Sequence, residues 1–441
     1  MLRLALPLVL ATALSFGAHA QALDPAAIAR QALDRLDAGD YAQVEQAFAA
    51  QMAAAVPEDK LKAVWESLPA QVGKATGRGD TTVSAQGDAT LVKIPLHYEK
   101  AELVASFAID AEGRIAGFVV QPAQSAAPAP AVAADAPFIE RDLVVGEGQR
   151  TLPATLALPK GNDQASGKGV PAIVLVHGSG PHDRDETIGP NKPFLDIARG
   201  LAAQGIAVLR YEKRTKARPQ DFAGGDFGVD DETTNDAVLA VDALRKTEGI
   251  DPARIFVLGH SQGGMMAPRI AAISGHVAGL VLLAAPARPL LDILIEQNRR
   301  LAVLNDGKID DAERGAINAL IEQVRQTRDG KTTAATKTVM GLPAGYWRSL
   351  EAVDAVAEAR QLKLPMLLLQ GARDIQVVDA DWQNWRDAFD ADAQATFKLY
   401  PKLNHLGIAG EGEGSLAEYQ QPGHVDAQLI KDVAAWVKSQ P

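Results

Sequence analysis

Ser261 lies in Gly259-His260-Ser261-Gln262-Gly263, directly after the apolar run Ile255-Phe256-Val257-Leu258 and directly before a helical pattern. Glycine and serine are common, so the pentapeptide alone says little, but its placement says much more. A short apolar run reads as a buried strand. Glycines on either side of Ser261 let the chain turn sharply into a helix without side-chain collisions. A serine at such a turn is lifted to the top edge of a sheet, where its hydroxyl can act as a nucleophile. The bland alternative is a Gly/Ser turn with no chemistry.

The surrounding chain supplies the sheet. Residues 139–145 and 152–158 alternate in polarity around a Gly-rich turn, which predicts an edge hairpin. Residues 172–176, 206–209, 255–258, 277–284, 364–369 and 396–400 are continuous apolar runs, as expected of parallel strands covered on both faces. Helical segments such as 233–246 and 265–273 fall between them. The prediction for residues 138–441 is an α/β fold with a mostly parallel, eight-stranded sheet. About eighty residues separate Ala284 from Leu364, far more than a crossover needs. Helical stripes there (Leu290, Leu291, Leu294; Ile317, Leu320, Ile321, Val324) predict a helical cap at about 286–362, with a peripheral insertion as the alternative.

The N-terminal part reads separately. Arg3, the apolar run 4–16 and Ala18-His19-Ala20 ahead of Gln21 form a secretory-signal pattern. Residues 1–20 are therefore expected to be removed, leaving a periplasmic or secreted protein. The apolar run is too short to span a bilayer stably, and no other window reads as a membrane span. Residues 21–122 carry helical stripes (Ile28, Leu33, Leu36; Val44, Phe48, Met52; Leu61, Val64, Trp65, Leu68). Short alternating segments follow at 81–84, 90–96, 101–109 and 115–121, so a small α+β domain is predicted. Residues 123–137, rich in Ala and Pro, read as an extended linker.

Composition removes several functions. A net charge of −11 argues against a nucleic-acid binder and against docking on anionic lipid. The absence of cysteine excludes disulfides, a cysteine nucleophile and thiolate metal sites. No H-E-x-x-H, EF-hand, P-loop or dinucleotide pattern occurs, so neither a metal nor a cofactor is expected.

A serine is a weak nucleophile near neutral pH and needs a base that is itself oriented by an acid. Asp374 follows the 364–369 strand through Gln370-Gly371-Ala372-Arg373 and is the candidate acid. His405 follows the last strand in Pro401-Lys402-Leu403-Asn404-His405 and is the candidate base. Only His405 and His424 lie beyond Asp374 in the chain, and His424 reads as part of the start of the final helix. Asp379 and Asp381 read as caps of the next helix. Candidate oxyanion donors are the backbone N–H groups of Gln262 and of Ser179, the latter in His177-Gly178-Ser179-Gly180 after the 172–176 strand. His177 and His260 are expected to pack and hydrogen-bond locally. The run His182-Asp183-Arg184-Asp185-Glu186 reads as an internally paired loop, with a polar substrate contact as the alternative. Lys213-Arg214 could pair with that run, or both could be solvated.

These residues carry a resemblance. The segments VLVHGSGPHDRDETIGPNKPF, GIAVLRYEKRT, VLGHSQGG, LLLQGARDIQV and LNHL resemble, in order, the α/β-hydrolase superfamily over residues 170–441. Within it the chain is similar to bacterial esterases of the dienelactone-hydrolase-like and serine-aminopeptidase-like groups. The resemblance implies carboxylic-ester hydrolysis on a small acyl ester, with Ser261 as nucleophile, Asp374 as acid and His405 as base. Dienelactone hydrolases proper use cysteine, so their lactone specificity is not implied for this cysteine-free chain. Peptide hydrolysis or acyl transfer by the same triad, and a binding module with a vestigial site, stay open. Residues 24–122 look like a small domain of unknown function found ahead of such esterases, similar to nuclear-transport-factor-like α+β folds. That resemblance implies a pocket that binds substrate or a partner; shielding of a hydrolase edge, or a homodimer contact, is the alternative.

Overall fold

The computed structural model describes residues 24–86, 89–122, 129–161 and 169–441, in two compact units that divide at Ala123. The signal-peptide reading of residues 1–20 lies outside the described residues.

The first unit runs from helices to strands. Its helices are α1 (Pro25–Ala38), α2 (Tyr41–Gln46), α3 (Ala50–Ala55) and α4 (Glu58–Val72). An antiparallel sheet follows, made of β1 (Ala75–Arg78), β2 (Thr82–Gln86), β3 (Ala89–Tyr98), β4 (Glu102–Ile109) and β5 (Ile115–Pro122). Strand β3 pairs with β1, β2 and β4, and β5 pairs with β4. The Asp24 carboxylate caps α1 by accepting the Ala26 N–H, and Gly39 ends the helix at φ 80°. Leu33, Leu36, Phe107 and Ile115 lie in its apolar core. Strand β1 escapes sequence reading. Its Ala-Thr-Gly-Arg is mostly exposed and does not alternate, and its backbone pairing with β3 defines it.

The second unit begins with the hairpin β6 (Phe138–Val145) and β7 (Leu152–Pro159), then β8 (Val170–Val176), α5 (Pro193–Ala202), β9 (Ala207–Tyr211), α6 (Arg214–Ala217) and α7 (Asn235–Arg245). It continues with β10 (Ile250–His260), α8 (Gln262–Ser274) and β11 (Gly279–Leu283). Four helices fill the long insertion: α9 (Leu290–Asp306), α10 (Asp311–Arg328), α11 (Ala344–Glu351) and α12 (Ala355–Gln361). The chain closes with β12 (Met366–Gly371), α13 (Asp379–Phe389), β13 (Ala395–Tyr400) and α14 (Ala427–Ser439). The eight strands are ordered β13-β12-β11-β10-β8-β9-β7-β6. Strands β8 to β13 run parallel, whereas β7 is antiparallel to both β6 and β9.

Side-chain alternation explains the continuous apolar runs. Val174, Val257, Leu280 and Leu368 enter one core with α7 and α8. Their neighbours Ile173, Phe256, Val281 and Leu367 enter a second core with α5 and α14. Both faces of the central strands are thus covered, and each fully buried aliphatic side chain contributes about 1.5–3 kcal/mol.

Three expectations are corrected. Asp379 and Asp381 do not cap α13, whose N-cap, Val378, makes no side-chain cap bond. Asp381 is instead fully buried and accepts from the Ala287 N–H at 3.0 Å and the Arg288 guanidinium at 2.7 Å, pinning the chain where the insertion starts. Asp381→Ala is expected to cost about 2 kcal/mol in urea unfolding, the scale of lost charge-assisted bonds; an unchanged midpoint would refute the pin. The end of the predicted linker is not free of core contacts, because Val132 and Ala136 pack on Phe138, Ala157 and Ala202. Lastly, the helix predicted from 233 begins with a π turn at Asp230–Thr234, which turns Glu232 into the protein interior. Such turns often accompany functional sites.

Candidate active site

Strand β10 ends at His260 and helix α8 begins at Gln262, so Ser261 is the single residue between them. Its backbone has φ 53° and ψ −122°, outside the regions that side-chain-bearing residues favour. Strain of this kind costs on the order of 1–3 kcal/mol and persists only where the surroundings enforce it. The enforcement is visible. A Cβ at position 259 would lie 2.1 Å from the Gly263 carbonyl oxygen, and one at position 263 would lie 2.1 Å from that of Val176. Strand end, turn and helix start are in backbone contact there. The Ser261 N–H donates to the Leu283 carbonyl at 2.9 Å, tying the turn to β11.

Asp374 and His405 meet at the ends of β12 and β13. His405 Nδ1 donates to Asp374 Oδ2 at 2.8 Å, and both side chains are buried. The other oxygen of Asp374 accepts the N–H groups of Gln376 (2.8 Å) and Val377 (3.0 Å). The Gln370 amide donates to Oδ2 at 3.2 Å. Four donors therefore hold the carboxylate, and its His405 bond leaves Nε2 as the free ring nitrogen. The Ser261 hydroxyl itself makes no hydrogen bond with a described residue.

The His405 loop is held from several sides. Asn404 Oδ1 accepts the N–H groups of Leu406 and Ile408 at 3.0 and 3.1 Å. Arg373, next to Asp374, pairs with Glu418 and donates to the carbonyls of Gly412 and Glu411. A Cβ at position 371 would lie 2.2 Å from the Leu403 carbonyl oxygen. Asn404→Ala is expected to lower kcat about tenfold through a displaced His405, on the scale of small misplacements in a site. Steady-state kinetics at unchanged melting temperature checks this, and wild-type kcat would refute it.

His177 and His260 differ. His177 packs on Phe194 and Tyr211 and donates to the Asp183 carbonyl at 3.0 Å; burial drives its pKa down to about 3, so it stays neutral. His260 has acceptors at both nitrogens. Nε2 donates to the His405 carbonyl at 2.9 Å, and Nδ1 lies 2.9 Å from Glu186 Oε2, at an angle poor for a hydrogen bond. Burial would lower its pKa, but Glu186 and the carbonyl outweigh that and raise it above 6.5. Glu186 also accepts the Gly178 N–H at 2.6 Å. Burial would raise its carboxyl pKa, yet the charge of His260 holds it at about 2, below the usual 4.5. The stability this contributes is full above pH 4.5 and is lost as pH falls toward 2. Glu186→Gln is therefore expected to flatten the decline of urea stability across that window; an unaltered slope would contradict the pair.

The 182–186 run is paired throughout; the Lys213 backbone N–H donates to the His182 carbonyl at 3.1 Å, but the side chains of Lys213 and Arg214 pair elsewhere. Arg184 binds Glu212, Asp185 binds Arg210, and Asp183 accepts from Thr187. Arg214 instead binds Asp236 and Asp221, and Lys213 binds Glu232. Glu186, His260, Lys213 and Glu232 are the residues whose parts in the site sequence reading missed. Glu186, Lys213 and Glu232 each lie in a charged run (182–186, 212–214 and 230–232), so nothing in their local sequence separates them from solvated neighbours.

Gln262 is the first residue of α8, so its N–H has no acceptor within the helix and faces outward from a positive helix end. Ser179 follows Gly178, where a Cβ would lie 3.2 Å from the Ser261 Cβ. An outer cleft of about 680 Å³ lies between α9 and the acid loop, with Arg299, Val303 and Ile375 among its walls; Ser261 and His405 are not on them. Among the described residues no cluster of His, Asp and Glu could hold a metal ion, and no helix is long and apolar enough to cross a membrane.

Residues 171–411 match the family described as serine aminopeptidase, S33, and residues 29–118 match a protein family of unknown function, DUF3887. The chain is 35% identical to esterase EstD of Thermotoga maritima over 388 residues, covering 88% of this chain and 89% of that one. Similar solved structures include Est1E from Butyrivibrio proteoclasticus (16% identity, TM-score 0.43, covering 68% of this chain and 99% of that one). Another is the esterase domain of a Rhodothermus marinus protein (19% identity, TM-score 0.42, covering 68% and 98%). With a family match over more than half its length and a relative aligned along nearly all of it, the chain belongs to the serine aminopeptidase S33 family of α/β-hydrolases.

Proposed function

We propose that this chain is an exported serine carboxylesterase that works through an acyl-enzyme. The observation that carries the reading is the buried 2.8 Å Asp374–His405 pair near the end of the sheet where Ser261 holds its enforced turn. His405 Nε2 takes the Ser261 proton as Oγ attacks the acyl carbonyl. The N–H groups of Gln262 and Ser179 take the charge that develops on the carbonyl oxygen. His405 then protonates the leaving alcohol. Water, deprotonated by His405, releases the acid and restores Ser261. Asp374 keeps the imidazole in the tautomer that makes this possible. The identity to a curated esterase along most of the chain supports the ester as substrate class.

Turnover of matched acyl esters, thioesters and aminoacyl amides tests the substrate class. The ester is expected to have the highest kcat/KM, and an amide turned over faster would transfer the reading to peptide hydrolysis. Export is tested by N-terminal sequencing of protein from the periplasm or medium. It should begin at Gln21, and a chain retaining Met1 would overturn it.

A further inference from the structure

A buried polar network joins the two halves of the oxyanion site. Lys213, Glu232, Gln262 and Tyr346 are each 4% exposed or less. Lys213 Nζ lies 2.8 Å from Glu232 Oε1 and donates to the Gly178 carbonyl at 2.7 Å. Glu232 Oε2 accepts from the Gln262 side-chain amide at 2.9 Å and from the Tyr346 hydroxyl at 2.8 Å. Tyr346 belongs to α11, within the long insertion.

The chemistry of one peptide group gives this network its meaning. The Gly178 carbonyl and the Ser179 N–H belong to the same planar, trans unit, so they point in opposite directions. An ammonium on the carbonyl oxygen fixes the plane of that unit. It also draws electron density from the nitrogen, which makes the N–H a stronger donor, as in any polarised hydrogen-bond chain. On the other side, Glu232 anchors the side chain of Gln262, whose own N–H is the second donor. One carboxylate thus sets the position of one donor directly and of the other through Lys213.

We infer that Glu232 and Lys213 are positioning residues of the oxyanion hole, and that Tyr346 ties them to the insertion. The inference rests on the proposed reading of Ser179 and Gln262 as the oxyanion donors. Neither residue touches substrate. They fix the separation and aim of two N–H groups, so their loss weakens binding of the transition state more than binding of the ester. Removing one partner alone would leave a buried charge unpaired, so the informative change removes both.

The test is the full-length double variant Lys213→Met/Glu232→Gln, with kcat and KM measured on an activated short-chain ester and affinity measured for an alkyl boronic acid that forms a tetrahedral adduct on serine. The expected result is a ~10- to 100-fold fall in kcat, a parallel loss of boronate affinity and a KM changed less than about threefold, below the cost of deleting a donor outright. A folded double variant with wild-type kcat and boronate affinity overturns the inference, and so does a loss confined to KM. Should the double variant not accumulate, Tyr346→Phe decides, because it deletes one hydroxyl and leaves both charges paired. A fall in kcat and boronate affinity of about threefold or more is expected of it, and wild-type values overturn the inference. Failure of the underlying reading looks different: the wild-type protein itself would then form no tight boronate adduct, or Ser261→Ala would retain turnover.

Discussion

Asp374→Asn should lower kcat about 10⁴-fold with little change in stability, the scale seen when a triad acid loses its charge but keeps its shape. The hydrogen bonds of Asp374 give the reason. Oδ1 accepts two backbone N–H groups, so in asparagine the amide oxygen stays on that side. The amide nitrogen then occupies the place of Oδ2 and faces His405 Nδ1 and the Gln370 amide, both donors to the native carboxylate. The imidazole must accept there, which puts its proton on Nε2, where it cannot receive the proton of Ser261. Kinetics with circular dichroism checks this. A folded Asp374→Asn enzyme within tenfold of wild type would show that the carboxylate does not set the tautomer.

Gly259→Ala and Gly263→Ala should each destabilise the protein by about 3 kcal/mol or more, at the upper end of overpacking costs. A methyl at either position meets a backbone carbonyl oxygen at 2.1 Å, and backbone cannot rotate away as a side chain can. Gly275 offers the contrast. It ends α8 at φ 65° with nothing within 4 Å of its added Cβ, so alanine there brings conformational strain without a clash. Urea unfolding of all three variants separates the effects. If Gly259→Ala and Gly263→Ala unfold no earlier than Gly275→Ala, the elbow is not the tight backbone junction described.

The contrast between legible and hidden parts of the site follows from the kind of interaction. Ser261 and Asp374 follow buried strands whose apolar runs mark their own ends, and His405 follows the partly exposed edge strand β13, so strand order brings all three to one edge of the sheet. Buried strands betray themselves because both faces must be apolar. Strand β1 could not be read, since its pairing is made by backbone groups that every residue carries. Glu186, Lys213 and Glu232 were hidden for a related reason. A buried charge is tolerated only with a partner, and the partners here, His260, Gln262 and the Gly178 carbonyl, are brought close by the fold and not by spacing in the chain. Asp381 misled because its position suits a helix cap, whereas its partner Arg288 lies far away in sequence.

The central claim is that Ser261 is the nucleophile that carries the acyl group. The most direct measurement is labelling of the full-length protein with a fluorophosphonate, with peptide mapping of the adduct, alongside turnover of a short-chain activated ester by Ser261→Ala. The account predicts one adduct per chain, on the peptide bearing Ser261, no adduct on Ser261→Ala, and a fall in kcat of about 10⁴-fold or more in that variant. An adduct on another residue, or a folded Ser261→Ala enzyme that still turns over the ester at the wild-type rate, would contradict it.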